Sequence, residues 1–332
     1  MIKVEHLTKY YGDFLAVNDL SFEIEKGHVY GFLGPNGAGK TTTMNIITGC
    51  LSATSGRVQV GDFDIFEDAR QAKRLIGYLP EQPPLYMSET PIEYLRFVGE
   101  AKGLHGAQLE QQIQEVMEQV KIEPVKNRRI SALSKGYKQR VGIAQALLGN
   151  PEVIILDEPT VGLDPIQIIE IRDLIKQLGQ SHTVIFSSHI LSEVQAICEK
   201  IIIIAHGKLV AFGQPDQLER SLLSGNEISF TTDASSDQVR EILSGINQIN
   251  HLALEQTDAG LTRAQIKTDQ TDVYALSKEL FFSFARHQQA LLELTVKKAS
   301  LEDIFLELTE EDPASSQNRR EDSNEESEAS QP

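Results

Sequence analysis

The run Gly34-Pro35-Asn36-Gly37-Ala38-Gly39-Lys40-Thr41 is a full match to the phosphate-loop pattern G-x-x-x-x-G-K-S/T. Before it, Val29 to Leu33 reads as a buried strand, and after it Thr42 to Thr48 can continue as a helix, which supplies the strand-loop-helix context the pattern requires. The three glycines let the backbone turn tightly with its N–H groups pointing inward. The helix N-terminus adds partial positive charge, and Lys40 adds a full one for β- and γ-phosphates. Thr41 offers a hydroxyl to Mg²⁺. Gly34 to Thr42 is therefore the candidate phosphate-binding set.

At 332 residues the chain has room for two domains, and 40% hydrophobic with 24% charged residues is the composition of a globular protein with a sizeable core. The 31 Lys and Arg against 48 Asp and Glu give a net charge of −17, which works against a polyanionic partner, so nucleic acid is not expected. The two cysteines, Cys50 and Cys198, lie in apolar sequence without metal or disulfide spacing and read as buried free thiols. No stretch approaches about 20 consecutive apolar residues and no signal segment opens the chain, so a cytoplasmic protein is expected unless a partner holds it at a membrane.

Residues 2 to 30 alternate as short strands with turns at Gly12-Asp13 and Lys26-Gly27, an antiparallel platform. Tyr11, beside that first turn, either stacks on a base or packs locally. Leu75 to Leu79 reads as a strand that exits into Pro80-Glu81-Gln82-Pro83-Pro84. From about 88 to 150 the pattern is helical. Thr90-Pro91-Ile92-Glu93 is a capping box with proline at the first helical position, and Leu109, Ile113, Val116, Met117 and Val120 recur at helical spacing. Another helix follows Ser134, and Ile168, Ile169, Ile171, Leu174, Ile175 and Leu178 make the apolar face of one more. Thr183 to Ser188 is a buried strand with His189 just beyond it, and Ile201 to Ile204 turns at His206-Gly207 into a hairpin. From about 225 to 309 a βαββαβ order suggests a small ferredoxin-like α+β domain, ending in a helix capped by Ser300 to Asp303. Residues 310 to 332 are acidic and polar and cannot bury enough surface to fold.

Val153 to Leu156 is a continuous apolar run ending in Asp157 and Glu158, as expected of a central parallel strand delivering carboxylates at its C-terminal end. A parallel sheet would bring that end beside the phosphate loop. Asp157 would then hold Mg²⁺, and Glu158 would orient and deprotonate an attacking water, the alignment on which phosphoryl transfer depends.

With these segments in place the chain resembles the nucleotide-binding subunit of an ATP-binding cassette (ABC) transporter over residues 1 to about 220. Leu133-Ser134-Lys135-Gly136-Tyr137 is similar to the family's L-S-G-G-Q signature, Gly162-Leu163-Asp164 to its aspartate loop, Gln82 to its glutamine loop, His189 to its switch histidine and Tyr11 to its base-stacking aromatic. Leu301 to Thr309 is similar to the ends of ATPase subunits of ABC-2 type exporters and of the gliding-motility-like group. The resemblance implies a P-loop NTPase core of the RecA-like α/β class, with an antiparallel β-subdomain, a helical subdomain and the small C-terminal α+β domain.

It further implies ATP with Mg²⁺ as the bound pair, and Glu158, His189 and Gln82 as catalytic positions. Thr41, Gln82 and Asp157 would lie at the metal. Ser134 and Gly136 would contact the ATP of a second copy or a paralogous ATPase subunit. The expected function is an ATPase at the cytoplasmic face of the cell membrane, powering a separately encoded permease of ABC-2 type. The competing reading is a soluble ABC protein acting on ribosomes or DNA, whose usual tandem cassettes, coiled coils or zinc sites this chain lacks. Lys135, Tyr137 and Val161 depart from the family pattern. Gln82 with Pro83-Pro84-Leu85-Tyr86 and the helix to about Gly103 is expected to be the exposed permease dock.

Overall fold

The structure, a computed structural model, describes residues 1–222, 226–246, 249–257, 260–268 and 272–297. The expected terminal helix at Ser300 to Asp303 and the acidic tail lie outside them. The chain divides into two compact units, one from Met1 to Pro215 and one beginning at Asp216.

In the first unit, β1 (Ile2–Tyr11) and β2 (Phe14–Ile24) form a hairpin that sets Tyr11 opposite Phe14. β3 (Val29–Leu33) runs into the phosphate loop and α1 (Lys40–Ile47). Then come β4 (Ser55–Val60), β5 (Phe63–Asp64), the short α2 (Ala69–Arg74) and β6 (Ile76–Leu79). The helical stretch holds α3 (Pro91–Ala101), α4 (Gly106–Gln119) and α5 (Lys135–Leu147). β7 (Val153–Leu156), α6 (Pro165–Gly179), β8 (Thr183–Ser188), α7 (Leu191–Ile197), β9 (Lys200–Ala205) and β10 (Lys208–Gly213) complete the unit.

Two sheets build its core. The antiparallel one has the order β2-β1-β4-β5 and the larger one the order β10-β9-β3-β8-β7-β6. In the larger sheet β6 to β9 and β3 pair in parallel, and only β10 joins as an antiparallel edge. Every residue of β3, β7 and β8 is buried, which is why their sequences run apolar without alternation. The antiparallel sheet alternates instead, and its inner face (Ile2, Val4, Leu20, Phe22) packs in one cluster with Phe32, Ile155 and Ile185 of the larger sheet. Because β3 lies between β8 and β9, with β7 next to β8, the loops leaving β3, β7 and β8 gather at one edge.

The capping box of α3 forms as the sequence indicates: the Glu93 N–H donates to the Thr90 hydroxyl, and the Thr90 N–H donates to Glu93 Oε2 at 2.9 Å. At the other end of that helix, Lys102 Nζ donates to the carbonyls of Gln145 (2.9 Å) and Leu148 (2.7 Å), capping the C-terminus of α5 with a cation. Three expectations need correction. Cys50 is exposed in a turn just past α1, and only Cys198 is buried. Ile169 lies on the open side of α6, whose core face is Ile171, Leu174, Ile175 and Leu178. Leu85 is buried, so the exposed apolar patch beside α3 consists of Tyr86, Met87 and Phe97, with the Tyr86 ring 5.7 Å from that of Tyr94 and 5.2 Å from that of Phe97.

The second unit opens on α8 (Pro215–Leu222) and continues with β11 (Asn226–Thr232), α9 (Ser236–Leu243), β12 (His251–Gln256), β13 (Thr262–Thr268), α10 (Val273–Arg286) and β14 (Leu291–Lys297). Its sheet order is β12-β13-β11-β14 with every neighbouring pair antiparallel, a split βαβ arrangement. Phe230 and Phe284, ring centroids 5.1 Å apart, anchor the core between sheet and helices.

Candidate active site

The phosphate loop is shaped by backbone demands that its glycines meet. Gly39, the residue before α1, has φ +98°, and a Cβ there would meet the Ala16 carbonyl oxygen at 2.6 Å. Lys40 opens the helix with its side chain folded back under the loop. Its Nζ donates to the Gly34 carbonyl at 2.9 Å and the Pro35 carbonyl at 3.3 Å, and stands 3.3 Å from Glu158 Oε1. Both side chains of that ion pair are more than nine-tenths buried.

Past the end of β7, Asp157 is fully buried. Its Oδ1 accepts from Ser187 Oγ at 2.6 Å, while Oδ2 has no partner. Burial pushes the Asp157 carboxyl above the usual range, with the Ser187 and Thr41 hydroxyls pulling the other way. A buried carboxylate oxygen without a donor, beside a threonine hydroxyl, is a hard-oxygen set that fits Mg²⁺. Glu158 has φ +47°, a left-handed backbone that costs a non-glycine residue about 1 kcal/mol. Its N–H donates to Ser187 Oγ at 2.7 Å, and its Oε2 lies 3.0 Å from His189 Nδ1. Ser187 therefore donates to one carboxylate and accepts from the backbone of the next.

Lys40 and Glu158 open on a cleft of about 390 Å³ whose walls also include Asn36, Gly37, Gly39, Thr41 and Thr42 of the loop, His189 from the sheet edge, and Tyr11 and Phe14 from the hairpin. Ala38 is buried behind the wall, and Gly34 and Pro35 contribute the carbonyls that hold Lys40. The strand exit after β6 adds a carboxylate beside the expected glutamine. Glu81 lines this cleft and also a neighbouring hollow, which it shares with Gln82, Pro83, Lys135, Lys138 and Gln139.

Ser134 and Gly136 do not reach the cleft of their own chain. Ser134 caps α5, accepting from the Tyr137 N–H, and both residues line a second hollow with Tyr137, Arg140 and Gln167. Lys135 leaves that hollow and lies over Gly162, where a Cβ would come within 2.0 Å of its Nζ. Phe14, Glu81 and Ser187 are site residues that sequence reasoning passed over. Phe14 could have been found as the hairpin partner of Tyr11, and Glu81 as the carboxylate next to Gln82 at the strand exit. Ser187 carried no signal beyond being a polar residue at the end of an apolar strand.

Residues 17–161 match the sequence family described as "ABC transporter". The linearmycin resistance ATP-binding protein of Bacillus subtilis (strain 168) is 34% identical over 316 residues, covering 93% of this chain and 98% of that protein. The bacitracin transport ATP-binding protein of Bacillus licheniformis is 34% identical over 310 residues, covering 93% and 97%. Among solved structures, an ATP binding subunit of an ABC transporter aligns with TM-score 0.62 at 28% identity over 74% of this chain and 99% of that one. A dimeric ATP-binding cassette in a post-hydrolysis state with ADP and Pi aligns with TM-score 0.59 at 27% identity over 64% and 98%. The buried lysine, the paired carboxylates and His189 thus sit in a fold and a sequence that both lead to one conclusion: the chain belongs to the ABC transporter family, as one of its ATP-binding ATPases.

Proposed function

We propose that the chain is the ATP-hydrolysing subunit of an exporter, acting at the cytoplasmic face of the cell membrane on a separately encoded permease of ABC-2 type. The observation that carries the site assignment is the convergence of Lys40, Glu158 and His189 within 3.3 Å contacts beside the orphaned Asp157 Oδ2. The loop N–H groups and Lys40 would bind the ATP phosphates, and Tyr11 with Phe14 would flank the base. Thr41 and Asp157, with Glu81 on the same wall, would hold Mg²⁺, which when bound supplies charge neutralisation on the β- and γ-phosphates. Glu158 takes the proton of the attacking water as its oxygen bonds to the γ-phosphorus and the bond to the ADP oxygen breaks. His189, 3.0 Å from Glu158, orients that carboxylate. A second ATPase copy, identical or paralogous, would bring its Ser134 and Gly136 hollow over the γ-phosphate.

The export reading is supported by the relatives named for linearmycin resistance and bacitracin transport, which this chain matches over nearly its whole length. Among the described residues no helix is long and apolar enough to cross a membrane, so the permeation path would belong to the partner. Tyr86, Met87 and Phe97 are the exposed apolar surface offered to it. The test is affinity purification of the chain from detergent-solubilised native membranes. A multi-span membrane protein should co-elute in stoichiometric amount, and Lys40→Ala should keep that partner while losing ATP hydrolysis. Recovery of the chain with ribosomes or DNA and no membrane protein would contradict the proposal.

A further inference from the structure

Between β7 and β8 the backbone ladder ends at Leu156 opposite Phe186, yet Glu158 and His189 lie beyond it. Side chains take over from the backbone there. Ser187 ties Asp157 and Glu158, and Glu193 of α7 ties the segments on either side of the pair. Glu193 is 2% exposed, and its Oε2 accepts from Thr160 Oγ1 at 2.8 Å and from Ser188 Oγ at 3.0 Å. Thr160 lies two residues after Glu158, and Ser188 immediately precedes His189. Ser188 Oγ also accepts from the Ile190 N–H at 3.0 Å, closing the turn around the histidine. The other carboxylate oxygen of Glu193 stands 3.4 Å from Arg172 Nη2 of α6, an arginine whose Nε is buried without a partner.

A charge buried among Leu191, Val194 and Ile197 is a poor device for stability alone, because its desolvation offsets most of what the ion pair returns. What it supplies is geometry at a place where the ladder has stopped and Glu158 is held at φ +47°. We propose that Glu193 is a positioning residue for hydrolysis, fixing the Glu158 and His189 segments against each other through Thr160 and Ser188. The inference rests on the assignment of Glu158 as base.

The experiment is steady-state and single-turnover ATP hydrolysis by the full chain carrying Glu193→Ala, Thr160→Val or Glu158→Gln, and by the double variants with Glu158→Gln. Glu193→Ala should lower kcat ~10-fold or more with the KM for ATP within about twofold, since a displacement near 1 Å is enough for a loss on that scale. Thr160→Val, which keeps the side-chain shape, should act in the same direction and keeps the test alive should Glu193→Ala fail to fold. On the Glu158→Gln background either change should cost less than about twofold more, because the group it positions is already gone. Normal kcat in Thr160→Val and Glu193→Ala, or losses that multiply in full with Glu158→Gln, would overturn the positioning role. Normal hydrolysis by Glu158→Gln alone would instead overturn the base assignment on which it rests.

Discussion

Lys40 Nζ and Glu158 Oε1 stand 3.3 Å apart, joining the phosphate loop to the end of β7 through a buried ion pair. The same glutamate uses its other oxygen on His189 Nδ1, so one carboxylate spans the loop and the residue after β8. Phosphate and carboxylate must share the lysine. Removing the charge of Glu158 therefore relieves a competitor, and Glu158→Gln should bind Mg-ATP at least as tightly as the parent chain while turnover falls ~10²-fold or more. Equilibrium binding of a fluorescent ATP analogue, measured beside hydrolysis, checks both halves; a large loss of affinity would contradict the competition.

Glu81 lines the cleft as well as the hollow it shares with Gln82, which makes its role testable. Glu81→Ala should lower hydrolysis and weaken its Mg²⁺ dependence, whereas Gln82→Ala, facing a hollow of Lys135 and Gln139, should leave single-turnover hydrolysis within about twofold. Titrating activity with Mg²⁺ in the two variants distinguishes them, and a greater effect at Gln82 would reverse the placement.

Asp157 gives a pH-dependent stability effect with a definite sign. Its folded-state pKa is raised by burial, so the folded chain binds that proton more tightly than the unfolded chain, and stability is lost as pH rises through the two values. Asp157→Asn should therefore raise the Tm of the ligand-free protein by about a few degrees at neutral pH, with the gain fading below the ordinary carboxylate range, while abolishing hydrolysis. Calorimetry at neutral and acidic pH reads the effect, and a lower Tm at neutral pH would contradict it.

On the surface beside α3, Tyr86→Glu and Phe97→Glu should uncouple transport from ATP binding, because both rings are about half exposed and touch each other. Leu85→Glu should instead unfold the helical region, since that side chain is buried. Transport in vesicles with nucleotide binding as the control separates the two outcomes, and unchanged transport in the Tyr86 and Phe97 variants would remove this patch as the dock.

The phosphate loop, the carboxylates after β7 and the histidine after β8 were legible because each is a contiguous motif at the exit of an apolar run. Side choice was harder to read. Leu85 against Tyr86 and Ile169 against Ile171 each turn on which face of the backbone a residue occupies, and proline-rich exits and helix rims give little periodicity to fix that. Cys50 looked buried because its neighbours are apolar, but it lies past the end of α1 at Ile47, where no helix face turns it inward. Ser187 and Glu193 were invisible for another reason: their partners lie about 30 residues away in sequence and meet only because β7 and β8 pair in parallel.

The most direct test of the account is the mass of Glu158→Gln measured by light scattering in Mg-ATP, in ADP and with Lys40→Ala added. If two copies close over ATP with Ser134 and Gly136 of each against the phosphates held by Lys40 of the other, uncleaved nucleotide should hold them together. The account predicts a dimer in Mg-ATP and a monomer in ADP or with Lys40→Ala. An unchanged mass in all three, together with near-normal hydrolysis by Glu158→Gln, would contradict both the catalytic base and the shared site.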